Sequence, residues 1–86
     1  MLTTGGLRPR GMSEFANRVY DVLARFTVSP WNVLKLECGW RGLDPLALEP
    51  VHLEPILASL GAHVARMTDD DNAIELMRAL RDLLRQ

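Results

Sequence analysis

With 86 residues, 48% of them apolar, and ten basic side chains against eleven acidic ones, the chain carries a net charge of −1, which excludes the basic footprint of a nucleic-acid binder. No apolar run approaches the roughly 18 residues of a membrane span, and the N-terminus lacks the apolar core of a signal peptide. Cys38 is the only cysteine, so neither a disulfide nor a cysteine-based zinc site can staple the fold, and a reducing compartment, the cytoplasm, is expected.

Residues 1–12, "MLTTGGLRPRGM", read as a flexible leader, because Gly5, Gly6, Pro9 and Gly11 interrupt any periodicity. Its "LRPRG" resembles a thrombin-type linker, which would put a native start at Met12. Residues 13–86 form the one expected domain.

A helix is expected from Ser13. Serine is a good N-cap and Glu14 suits the positive end of the helix dipole. Phe15, Val19, Val22, Leu23 and Phe26 recur at three- and four-residue steps. Tyr20, Val22, Ala24, Phe26 and Val28 also alternate, so a strand over residues 18–28, the second half of this stretch, is the competing reading. After Pro30, "VLKLECGW" alternates with a period of two: Leu34, Leu36, Cys38 and Trp40 on one side, Val33, Lys35, Glu37 and Gly39 on the other. That pattern predicts a half-buried strand over 33–40, followed by a turn, "GWRGLDP".

Asp44–Pro45 has the form of a helix start, and Pro50 limits that helix to one turn. A second start, at Glu49–Pro50 or at Glu54–Pro55, leads into Leu53, Ile56, Leu57 and Leu60, one apolar stripe. Gly61 then stands where a helix C-cap is expected, and "AHVARM", 62–67, reads as a second short strand. The last helix draws on Asn72 and Glu75 as a capping box, with Ala73, Leu76, Met77, Leu80, Leu83 and Leu84 as its buried stripe. Its aspartates, Asp69 to Asp71, lie at the positive end and Arg78, Arg81 and Arg85 toward the negative end.

The predicted order is helix, strand, helix, strand, helix: a small two-layer α/β (or α+β) domain with a right-handed crossover and a short sheet. Two strands are marginal in water, and a chain this small buries only about 60–65% of its unfolded surface. Completion of the sheet by oligomerisation is therefore expected.

Little in the sequence carries chemistry. Cys38 with His52 and His63 invites a thiol-enzyme reading, but Cys38 falls on an apolar face, where cysteine acts as a small filler. Three adjacent aspartates cannot converge on one ion, so no metal is expected. No glycine-rich phosphate loop, nucleophile elbow or dinucleotide fingerprint occurs, so no cofactor is expected either. Trp31, Trp40 and Arg41 are the candidate partner-binding residues, since tryptophan and arginine are enriched at binding hot spots.

"ILASLGAHVARMTDDDNAIELMRAL" is similar to the helix–strand–helix stretch of α/β signalling domains, response-regulator receivers among them. The paired acids a receiver needs after its first strand are missing from "VLKLECGW". The strand and "GLDPL" turn resemble an ACT-like module, which implies a small ligand near the turn. The leading expectation is a non-enzymatic interaction or subunit-assembly module, a homodimer or part of a larger assembly, that works through an open strand edge and apolar helix faces. A small-molecule-sensing ACT-like domain is the alternative.

Overall fold

The computed structural model describes residues 8–85. It overturns the α/β expectation: four α-helices and one short 3-10 turn are the regular elements of the described residues, and no strand occurs among them. The helices are α1 (Glu14–Leu23), α2 (Pro30–Trp40), α3 (Pro50–Met67) and α4 (Asp70–Leu84), with the 3-10 turn at Pro45–Ala47 between α2 and α3. Each helix packs on its two neighbours in the ring α1–α2–α3–α4, and α3 with α4 forms the most extensive pair. The radius of gyration, 12.0 Å, is close to the ~12 Å that a single compact domain of this length should have.

α1 begins as its sequence predicts. Ser13 Oγ accepts from Ala16 N–H and also donates to the Leu48 carbonyl, at 3.1 and 2.7 Å, while Ser13 N–H donates to Leu46 O. One residue thus caps the helix and ties it to the segment leading into α3. Ala16, Val19, Tyr20, Val22 and Leu23 are buried. The helix closes at Ala24 and the chain turns through Phe26, so the competing strand over 18–28 does not form. Residues 1–7 of the expected leader lie outside the described residues. Further along, Arg8 stacks over the Tyr20 ring and pairs with Asp21, and Met12 packs against the core.

The stretch 33–40, expected to be a strand, is α2. Pro30, Val33, Leu34, Glu37 and Cys38 are its buried residues, a three–four spacing that marks one face of a helix. The period of two arises from Leu36 and Trp40, which face away from the core. Ser29 followed by Pro30 is the same kind of start as Asp44–Pro45, with proline at the first helical position. The helix stops at a glycine that has to be one: Gly42 sits at φ +69°, Gly42 N–H reaches Gly39 O at 3.2 Å and Leu43 N–H reaches Cys38 O at 2.9 Å. Those bonds satisfy carbonyls at the end of the helix, and Leu43 packs on the core beneath it.

The expected strand 62–67 is the second half of α3, an 18-residue helix that runs unbroken from Pro50 to Met67. It enters at Glu49–Pro50, and Pro55 lies inside it, where it withholds a donor from the Val51 carbonyl. Leu53, Ile56, Leu57 and Leu60 are all buried, as the stripe requires, and Val64 continues it. Gly61 is not a cap. It is buried in the α3–α4 contact, where a Cβ would come within 2.6 Å of Met77 Sδ, so the absence of a side chain is what admits Met77. Only Thr68 and Asp69 separate α3 from α4, and the cap of α4 is Asp69 rather than Asn72: the Asp69 carboxylate accepts from Asn72 N–H at 2.8 Å.

With no strand among the described residues, there is no crossover, no sheet for a second copy to complete, and no strand edge for a partner to extend. The ACT-like and receiver resemblances lose their sheet in the same way, because "GWRGLDP" joins two helices. The core closes within one chain. Leu23, Leu34, Leu48, Leu53, Ile56, Leu60, Leu76 and Leu80 are fully buried, and burial on that scale supplies the main driving force for folding.

Candidate interaction surface

The sequence singles out Trp31, Trp40 and Arg41, and the fold gives them three different environments. Trp31, in the first turn of α2, is half-buried against the core, with the Lys35 ammonium 6.0 Å from its ring. Trp40, the last residue of α2, is 78% exposed. Arg41 follows it as the C-cap residue and turns back onto α3: its Nε donates to Pro55 O at 3.1 Å and its Nη2 to Ser59 Oγ at 2.8 Å. Trp40 lies nine positions after Trp31, about 13.5 Å along the helix, so the two tryptophans do not share a site.

What Trp40 does share is a face with Leu36, one turn earlier and 52% exposed. Residues four apart on a helix are surface neighbours. Gly39 lies between them, with nothing within 4 Å of where its Cβ would be, so the backbone there is open to close approach. Beneath this face the helix is held firmly. Arg41 clamps its end to the middle of α3, Gly42 and Leu43 tie off its last carbonyls, and Glu37 is joined to α3 through His63 at 2.9 Å. The exposed indole therefore projects from a braced helix end.

Sequence reasoning passes over Glu37. It is the one buried charged residue among those described, and its place in the Val33–Leu34–Glu37–Cys38 series would have shown α2 as a helix carrying one polar group on its inner face. The partner, His63, stands on the α3 face that also carries Pro55 and Ser59, at four-residue steps.

The remaining candidates disperse. Cys38 is fully buried, and burial together with the nearby Asp44 and Glu37 carboxylates pushes its thiol up to about 11; a thiolate is the reactive form. His52 accepts from Glu49 N–H through Nδ1 at 3.1 Å, as part of the α3 cap, and His63 is bonded to Glu37. The three are thus committed to packing, capping and helix bracing. Among the described residues no group of three or more His, Cys, Asp or Glu side chains is placed to hold a metal ion, and no helix is long and apolar enough to cross a membrane.

Comparison with known proteins adds no relative: no protein-family model matches the chain, and no curated protein or solved structure is significantly similar to it.

Proposed function

We propose that this protein is a non-enzymatic interaction module that docks another protein on the outer face of α2. The observation that carries the reading is Trp40, a large aromatic side chain standing in solvent beside Leu36 on a helix that is otherwise fixed to the bundle. Exposed indoles on a rigid base lose little conformational entropy on binding and dominate interface energetics. The partner that fits is a helix with an apolar face, lying over Leu36, Gly39 and Trp40 in helix-face packing. Arg41 supports the site by holding the end of α2, while Trp31, packed against the core in the first turn of the helix, stays outside it. The compartment we assign is the cytoplasm, in keeping with the single buried thiol. Neither a cofactor nor nucleic acid has a part in this function.

Site-specific photo-crosslinking tests it. A crosslinker at position 36 or 40 should trap one partner that a crosslinker at Ala62, on an exposed part of α3, does not. Trp40→Ala should then weaken that partner's affinity at least tenfold with the melting temperature unchanged. An affinity indifferent to Trp40→Ala and Leu36→Glu would remove the proposal.

A further inference from the structure

The outer side of α4 carries a charge pattern that complements itself. At about 100° per residue, Asp70, Asp71, Ile74, Arg78, Arg81 and Arg85 fall on one stripe, away from the buried Ala73, Leu76 and Leu80. Acidic groups occupy the start of the stripe and basic groups its second half. The helix dipole accounts for the order of the charges. It does not account for Ile74, which is 55% exposed in their midst. Asp70, Asp71 and Arg81 make no ion pair among the described residues. Arg78 reaches Glu75 of its own helix, at 3.1 Å, through an exposed contact of the kind that is easily exchanged.

We infer that this face binds a second copy of the chain, antiparallel, across a two-fold axis beside Ile74. Along the helix Asp71 lies about 4.5 Å before Ile74 and Arg78 about 6 Å after it, while Asp70 lies about 6 Å before and Arg81 about 10.5 Å after. Reversing one helix on the other brings Asp71 level with the second copy's Arg78, and Asp70 within an arginine's reach of the second copy's Arg81. The angular positions agree: Asp71 and Arg78 stand on one flank of the stripe, Asp70 and Arg81 on the other. The two-fold repeats both pairs, so the Ile74 side chains meet at the centre with ion pairs on every side. Such an isologous contact is closed and self-limiting.

A single helix pair buries less than the roughly 800 Å² per partner of a standard stable interface, and its rim of charges is screened as the Debye length falls from about 10 Å at 0.1 M salt to about 3 Å at 1 M. The dimer is therefore weak and salt-sensitive. It uses α4, and α2 with Trp40 stays free for the partner proposed above.

Charge exchange followed by sedimentation velocity tests the inference. The unmodified chain should dimerise with rising concentration at low salt and separate at high salt. Asp70→Arg/Asp71→Arg and Arg78→Asp/Arg81→Asp should each be monomeric, since every pair in either homodimer becomes like-charged. Mixed in equal amounts, the two should associate again, because every pair in the heterodimer is restored. Circular dichroism verifies the helix content of each, and Ile74→Glu, an exposed change that puts like charges at the axis, decides the matter if a double variant does not fold. Dimerisation that survives Ile74→Glu, folded charge variants that do not recombine, or a chain that stays monomeric at millimolar concentration would each overturn it. Trp40→Ala should leave this dimer intact, which separates its failure from that of the α2 docking face.

Discussion

His63 Nδ1 lies 2.9 Å from Glu37 Oε2 and joins α3 to α2 across a site where both side chains are largely withdrawn from water. A polar pair in that position is stabilising only while both partners are present, because a lone buried donor or acceptor loses its hydration with nothing in return. Glu37→Leu and His63→Leu should each cost about 2 kcal/mol, because each leaves the other member buried without its partner. Glu37→Leu/His63→Leu should cost clearly less than the sum of the single changes, since replacing both members of a buried pair by apolar groups is often close to neutral. Urea unfolding of the four proteins gives the coupling; strict additivity would mean that the pair is not a unit.

Cys38 provides a pH test. Its folded-state thiol is pushed up to about 11 from an ordinary 9.0, so the folded protein holds the proton more tightly than the unfolded chain. The associated stability is complete below pH 9 and is lost as the pH rises from there through 11. Unfolding followed from pH 8 to 11 should show that decline, and Cys38→Ala should flatten it. At pH 8 iodoacetamide should label Cys38 only after denaturation; rapid labelling of the native protein would contradict the burial.

Ser13 makes one hydrogen bond as a helix cap and another to Leu48 O. Ser13→Ala removes both and should destabilise the domain by about 1–2 kcal/mol, whereas Ser13→Thr keeps the hydroxyl and should cost well under half of that. Equal losses for the two variants, measured by chemical denaturation, would mean the hydroxyl is not the reason.

Gly61 faces Met77 so closely that any side chain must displace it. Met77 is flexible, and alanine is favoured over glycine in a helix by up to about 1 kcal/mol, so Gly61→Ala should be near neutral. Gly61→Val adds branches that Met77 cannot clear and should cost about 2 kcal/mol or more, in line with overpacking elsewhere. A valine variant as stable as the parent, by thermal melting, would place the two helices further apart than described.

The elements legible in the sequence are those whose start signals and apolar period agree. α4 has acids before a clean three–four stripe, α1 has Ser13 and Glu14, and Glu49–Pro50 opens α3. Where the two signals disagree the reading fails. In α2, the buried Glu37 breaks the apolar stripe of the inner face, while the exposed Leu36 and Trp40 supply apolar residues on the outer one, and the sum imitates a strand. In α3, Gly61 reads as a stop because glycine usually ends helices, yet here it answers to the side chain of Met77 some sixteen residues further on, a constraint that local sequence does not express. Of the residues on the proposed docking face, the sequence singles out Trp40 but not Leu36, which a strand would have placed on the side of Leu34 and Cys38. What becomes visible only in three dimensions is that Arg41 lies back along the surface of α3, bonded to Pro55 and Ser59, while Trp40 stands free of α3.

Everything proposed for α2 depends on residues 33–40 being helical, since as a strand the same residues would turn Leu36 and Trp40 to the side of Leu34 and Cys38 and abolish the exposed face. Backbone NMR on the uniformly labelled protein tests this directly. An unbroken series of sequential amide–amide contacts and helical Cα shifts through 33–40, and again through 61–67, is the result expected. Extended shifts with cross-strand contacts between those two segments would contradict the fold and the docking face together.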